Sequence, residues 1–300
     1  MKNFDEIMKR AQQNGPKRIA VACAQDDDVL MSVDMANLAG IADATLVGNK
    51  EEIISICNKL NIDYNKYEII NESDNVEAAK IAAKLVSDKK ADILMKGLVD
   101  TSIVLKAVLN KELSLRTGSP ISHTGVFEIP GYDRLLFVTD AAMNISPDLT
   151  TKAAIIRNAV KLAQALEIEV PKVGVVCAKE KVDEKMPATL DAQALVEMNK
   201  SGEIKNCIVG GPFALDNAVN EEAAHHKGIT DPIAGKCDIL LMPDIEAGNV
   251  LYKSISYFSE SKIAGIILGT SKPIVLTSRA DSEETKMYSI ALAVLYSNKF

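Results

Sequence analysis

Along nearly the whole chain, short apolar runs alternate with longer stretches whose apolar residues recur at helical spacing. Residues 19–24, 44–47, 68–70 and 91–95 read as buried strands; residues 26–40, 51–60 and the Ala-rich 75–86 read as helices, the first stopped by Gly40. Strands that alternate with helices are joined by crossovers, and crossovers lay helices on both faces of a parallel sheet. The fold class that follows is α/β. The alternation falters from 116 to 130. There Thr117-Gly118-Ser119-Pro120 reads as a loop, 126–129 as a strand, Pro130-Gly131 as a tight turn and 134–139 as a returning strand. That unit predicts an antiparallel edge on a mostly parallel sheet. The alternation resumes near Ile145, with strands at 172–177, 207–209, 237–242, 264–268 and 274–276. Helices fill the gaps at 150–166, 189–198, 216–224, 248–259 and 282–296.

Three hundred residues suggest about two domains. The chain is 47% hydrophobic and 25% charged, enough for substantial cores in an ordinary globular protein. Aromatics make up only 4% and the net charge is -7, so stacking platforms and a basic excess are both missing; nucleic acid is not an expected partner. The five cysteines are an odd number without a C-x-x-C pair, and most lie in apolar runs, which reads as buried thiols in a reducing compartment. The first residues lack a signal-peptide core and no apolar run is long enough to span a bilayer; cytoplasm follows by default.

In open α/β sheets, ligands sit beyond the carboxyl ends of strands, where helix N-termini offer N–H groups to anions. The residues just after each strand therefore carry the functional information. After 91–95, Gly97 lets backbone approach a ligand closely, and Thr101 and Ser102 either cap the next helix or offer hydroxyls to a phosphate. Lys106 on that helix and Arg116 beyond it are cations of a kind more often solvated than ligating. Asp140 and Asn144 follow 134–139, where turn chemistry explains them equally well. Asp244 reads as a helix cap, which leaves Asn249 unexplained. After 274–276, Asp281 and Glu284 fit a capping pattern three residues apart. Arg279, beside the Ser278 hydroxyl, has the form of an anion clamp. His225 and His226 are adjacent rather than at metal-ligand spacing, and no metal is expected. Neither a G-x-S-x-G elbow, a Walker A loop nor a G-x-G-x-x-G fingerprint is present.

Six segments taken together resemble the phosphate acetyl/butyryltransferase family. They are Met95-Lys96-Gly97-Leu98-Val99, Leu115-Arg116-Thr117-Gly118, Gly210-Gly211-Pro212-Phe213-Ala214-Leu215-Asp216, Glu222-Ala223-Ala224-His225-His226-Lys227-Gly228, Pro243-Asp244-Ile245-Glu246-Ala247-Gly248-Asn249 and Leu276-Thr277-Ser278-Arg279-Ala280-Asp281-Ser282. Their details look like the butyryl branch. The resemblance implies two α/β domains flanking a cleft, similar to the isocitrate and isopropylmalate dehydrogenases, with the C-terminal helix returning to the first domain. Joined to the restart of the pattern, this gives a first domain of 1–143 plus 277–300 and a second of 144–276. It also implies a homodimer or an assembly of dimers, and acyl transfer between coenzyme A and phosphate in a ternary complex. Acyl-CoA and phosphate would be substrates, with no tightly bound cofactor.

Ser278 and Arg279 match the family's Ser-Arg pair at the reacting carbonyl and phosphate. Thr101, Ser102, Lys106, Arg116, Asn144 and Asn249 are the substrate-binding candidates that go with them. The acetyl branch has an Asp assigned as base seven residues after its Ser; Thr285 stands there in this chain. Asp281 or Glu284 could replace it, or thiolate stabilisation could suffice. The competing readings are a phosphate acetyltransferase or branched-chain variant, an NAD-dependent hydroxyacid dehydrogenase, and a non-catalytic acyl-CoA-binding regulator. The dehydrogenase needs clustered Asp residues for a divalent ion, and no convincing cluster is found.

Overall fold

The alternation seen in the sequence becomes a succession of strands and capped helices. The computed structural model describes residues 1–278 and 280–300. In chain order the first elements are α1 (Phe4–Asn14), β1 (Lys17–Ala22), α2 (Asp27–Leu38), β2 (Ala42–Gly48), α3 (Lys50–Leu60), β3 (Glu68–Asn71), α4 (Asn75–Ser87), β4 (Ile93–Lys96) and α5 (Thr101–Val108). Next come β5 (Ser122–Glu128), β6 (Leu136–Thr139), α6 (Leu149–Ala165), β7 (Lys172–Val176), α7 (Pro187–Lys200), β8 (Ile208–Phe213), α8 (Leu215–Val219), α9 (Glu221–His226) and β9 (Ile239–Leu241). The last are α10 (Ile245–Phe258), β10 (Lys262–Leu268), β11 (Ile274–Val275) and α11 (Glu283–Lys299). Asp26, Asn49, Asp74, Asp148, Asp244 and Ser282 each accept a first-turn N–H, so a side chain satisfies a helix donor that would otherwise lack a partner.

The chain divides into two compact units: residues 4–119 with 264–300, and residues 1–3 with 120–263. In the first unit the strand order is β3-β2-β1-β4-β11-β10. All neighbours pair in parallel except β10 with β11. The connection after β3 crosses back past β2 and β1, so the topological switch point lies between β1 and β4. Ile93, Leu94 and Met95 are buried, as a strand covered on both faces requires. Helix α11 is buried from Tyr288 to Ser297, and Phe4 of α1 stacks on Tyr288 with ring centroids 4.5 Å apart. The sequence reading had no helix at α1, although Phe4, Ile7 and Ala11 form one buried stripe.

In the second unit the order is β5-β6-β9-β7-β8, parallel except for β5 with β6. Strand β5 begins at Ser122, upstream of the expected 126–129. Its polar start is buried and paired, with Thr124 opposite Thr139 and Thr139 Oγ1 donating to His123 O at 2.8 Å. Strands β5 and β6 thereby pair into the sheet of residues 120–263, whereas the sequence expectation grouped residues up to 143 with the N-terminal part. Its divisions at 143/144 and 276/277 differ from the observed ones at 119/120 and 263/264, because parallel pairing of β6 with β9 outweighs chain proximity. Among the described residues, no helix is long and apolar enough to cross a membrane.

Candidate active site

In the first unit, β4 and β11 are parallel neighbours, with Leu94 opposite Ile274 and Met95 opposite Val275. The chain leaving each strand therefore emerges on the same rim. From β4 come Thr101 and Ser102; from β11 come Ser278 and Asp281. Thr101 and Ser102 occupy the first two positions of α5 rather than its cap, which is Asp100. Their hydroxyls lie at a helix N-terminus, where the dipole and the first N–H groups favour an anion.

Gly97 behaves differently from the sequence expectation. Its N–H donates to Ala22 O at 2.8 Å, and Leu98 N–H donates to Cys23 O at 2.7 Å. A Cβ at Gly97 would lie 2.1 Å from Cys23 O. The close approach it permits is thus to the backbone leaving β1. Cys23 itself is buried, which pushes its thiol up to about 11; Asp74 adds to the rise and Lys96 opposes it. A thiol so placed is not a ready nucleophile.

Ser278, Ala280 and Asp281 are joined by hydrogen bonds of their own. Asp281 N–H donates to Ser278 O at 3.2 Å. Ser278 N–H donates to Asp281 Oδ2 at 2.7 Å, and Ala280 N–H donates to Ser278 Oγ at 3.3 Å. The Ser278 hydroxyl accepts there, which leaves its proton for donation. Arg279 lies outside the described residues. The cap of α11 is Ser282, which accepts from Thr285 N–H at 3.2 Å, so the expected Asp281–Glu284 capping pair is not formed. Glu284 instead accepts from Tyr288 OH at 2.7 Å. Thr285, where the acetyl branch has its Asp, is 3.2 Å from the Ser282 hydroxyl.

Lys106 is exposed on the last turn of α5. It lines a cavity of about 580 Å³ with Val76, Lys80, Ile103, Ala107, Leu109 and Asn110. The backbone of Arg116 bridges to Thr270, and Thr117 Oγ1 donates to Gly269 O at 2.5 Å. Those partners belong to the turn that enters β11, so the Arg116 backbone sits at the amino end of that strand and Ser278 beyond its carboxyl end.

Asn144 and Asn249 both bond to the segment that follows β6, in the second unit. The buried Asp140 carboxylate accepts from Ala142 N–H at 2.9 Å, Met143 N–H at 3.0 Å and Asn144 N–H at 3.2 Å. Turn chemistry accounts for that residue. Asn144 Nδ2 donates to Asp140 Oδ2 at 2.6 Å and Ile121 O at 2.9 Å, so its amide hydrogens are committed and its carbonyl is what it can offer a ligand. Gly248 brings α10 against the same turn: a Cβ there would lie 2.2 Å from Asp140 O. Exposed Asn249 donates to Ala141 O at 3.3 Å. Among the described residues, no group of His, Cys, Asp and Glu could hold a metal ion.

The fold places the chain among α/β proteins with open, mostly parallel sheets. More particularly, it belongs to the phosphate acetyl/butaryl transferase family, whose model matches residues 3–80 and 72–294. It is 55% identical to a phosphate butyryltransferase of Clostridium acetobutylicum, over 98% of each chain. A phosphate acetyltransferase of Thermotoga maritima is 45% identical, over 98% of this chain and 99% of that one. Among solved structures, a branched-chain phosphotransacylase from Enterococcus faecalis V583 superposes with a TM-score of 0.83 at 32% identity, covering 95% of this chain and 100% of the other.

Proposed function

We propose that this enzyme catalyses butanoyl-CoA plus phosphate giving butanoyl phosphate plus CoA, by direct transfer in a ternary complex. The single observation that carries the site is the shared rim of β4 and β11, which puts the Thr101 and Ser102 hydroxyls and Ser278 beyond adjacent strand ends. Full-length likeness to a butyryl-transferring relative supports the acyl group. The burial that raises the thiols of Cys23, Cys57, Cys177, Cys207 and Cys237 supports transfer without a covalent cysteine intermediate.

The roles divide as the chemistry demands. A phosphate oxygen attacks the thioester carbonyl, and the carbonyl oxygen gains charge that needs preorganised donors. Arg279 supplies a guanidinium and Ser278 a hydroxyl proton at that centre. Thr101 and Ser102 hold phosphate at the α5 N-terminus. Lys106 and Arg116 serve the phosphates of CoA, whose nucleotide end lies far from its thiol. Asn144 and Asn249 orient the acyl-CoA through amide groups. Asp281 and Glu284 are committed to Ser278 and to Tyr288, so thiolate stabilisation stands in place of a carboxylate base.

The finer likeness to the isocitrate and isopropylmalate dehydrogenase fold belongs to the same reading, supported by a unit assembled from both ends of the chain; superposing an experimental structure on those enzymes tests it. A homodimer is supported by the face of α10, where Val250, Tyr257 and Phe258 are 66%, 70% and 90% exposed; sedimentation of the purified protein tests it. Buried, unbridged cysteines fit a cytoplasmic setting, which fractionation of the producing cells checks. No resident cofactor is needed for the reaction as written, and activity surviving exhaustive dialysis tests that.

The site is tested by kcat and melting temperature on three variants. Arg279→Ala should fold normally and lose on the order of 100-fold in kcat. Arg279→Lys should recover part of that, and Ser278→Ala should lose less. A stable Arg279→Ala enzyme with unimpaired kcat removes Arg279 from the mechanism.

A further inference from the structure

Lys286, in the first turn of α11, is a buried cation whose side chain is only 3% exposed. Lysine is among the residues least often buried, because its ammonium gives up water that few interiors replace. Here Nζ donates to the backbone carbonyl of Asp281, and it lies 3.5 Å from Oδ2 of Asp28. Asp28 stands in the first turn of α2, and its side chain is 49% exposed. One ammonium thus links α11, the first turn of α2 and Asp281, which is itself bonded to Ser278. Two hydrogen bonds join that pair, from Ser278 N–H to Asp281 Oδ2 and from Asp281 N–H to Ser278 O. The Lys286 bond adds a side-chain tie from Asp281 to α11, and the contact with Asp28 extends it to α2. Packing alone explains neither contact, since an apolar side chain of that length would fill the same volume without desolvating a charge.

We propose that Lys286 is a positioning residue for acyl transfer: it anchors Asp281, and through the Ser278–Asp281 hydrogen bonds the Ser278 hydroxyl, to the first turn of α2. The proposal rests on the site reading above, in which Ser278 meets the reacting carbonyl and phosphate. Lys286 touches neither substrate in this scheme. Its effect belongs in kcat, because a catalytic donor displaced by a fraction of an ångström loses transition-state contact while substrate binding elsewhere persists.

The test is a double-mutant cycle in the full-length enzyme, with butanoyl-CoA and phosphate varied separately. Lys286→Met should lower kcat by about 10- to 100-fold, with both KM values within about twofold of wild type. Lys286→Arg, which keeps a cationic donor, should recover most of the loss. In a Ser278→Ala background, Lys286→Met should cost little more, since the positioned group is already gone. Near-normal kcat in Lys286→Met overturns the proposal, as does a full multiplicative loss in the double variant. Should Lys286→Met fail to fold, Asp28→Asn carries the test: a severalfold fall in kcat at unchanged melting temperature supports the anchor, and unchanged kcat overturns it. Wild-type kcat in Ser278→Ala alone is a different failure, because it removes the site reading and not only the role of Lys286.

Discussion

Asp281 and Glu284 stand three residues apart at the start of α11, and their partners separate them. Asp281 accepts the Ser278 N–H, a task an amide oxygen performs as well as a carboxylate. Asp281→Asn should therefore keep kcat within about threefold of wild type, as should Glu284→Gln; a carboxylate acting as general base would instead lose about 100-fold or more on the same change. Steady-state rates across pH on the two variants decide the point. If either loses that much, together with the alkaline-rising limb of its pH profile, a carboxylate base must be restored to the mechanism. At this scale the sequence identified residue types better than their uses. Ser278, Arg279, Thr101 and Ser102 stood out because polar groups after a strand are conspicuous. The Asp281–Glu284 spacing suggested a cap, but Asp281 accepts the Ser278 N–H and Ser282 caps the helix through the Thr285 N–H. Lys286 escaped notice because a lone lysine in a helix reads as solvated, and only its neighbours in space reveal the burial.

The elements were legible wherever apolar spacing was unambiguous, as in β1, β4, α4 and α11. They were less so where burial falls on polar or small residues. Ser122, His123 and Thr124 open β5 although nothing in their composition marks a strand; pairing with β6 supplies what local preference does not. Gly97 shows the same limit. A glycine after a strand suggests room for a ligand, yet the room is taken by the Cys23 carbonyl of the neighbouring strand end. Gly97→Ala should accordingly lower the melting temperature by about 3 °C or more, since the clash is with backbone on a buried strand end rather than with a movable side chain. Scanning calorimetry beside wild type checks this. An unchanged melting temperature would show that the β1 and β4 ends are looser than their hydrogen bonds indicate.

Across the whole molecule, the candidate residues fall into groups set by topology. Thr101, Ser102 and Ser278 share the rim of β4 and β11, Lys106 lines a cavity with α4 residues, and the Arg116 backbone is tied at the amino end of β11. Phosphate is small and CoA is long, so Lys106→Ala and Arg116→Ala should raise the KM for CoA about fivefold or more, equivalent to losing roughly 1 kcal/mol of binding, and leave the KM for phosphate unchanged. Initial rates in the direction that consumes CoA measure both, and a change confined to phosphate would move these cations to the reacting centre. Two α/β units were legible from the restart of the alternation, but not where they divide, because pairing of β6 with β9 is a long-range choice that no local pattern records. The most direct measurement is free thiol released from butanoyl-CoA by the purified full-length enzyme, with and without phosphate and without nucleotide, alongside acetyl-CoA. Release that requires phosphate and is faster with butanoyl-CoA is the expected result; equal release in the absence of phosphate would make the enzyme a thioesterase and contradict acyl transfer to phosphate.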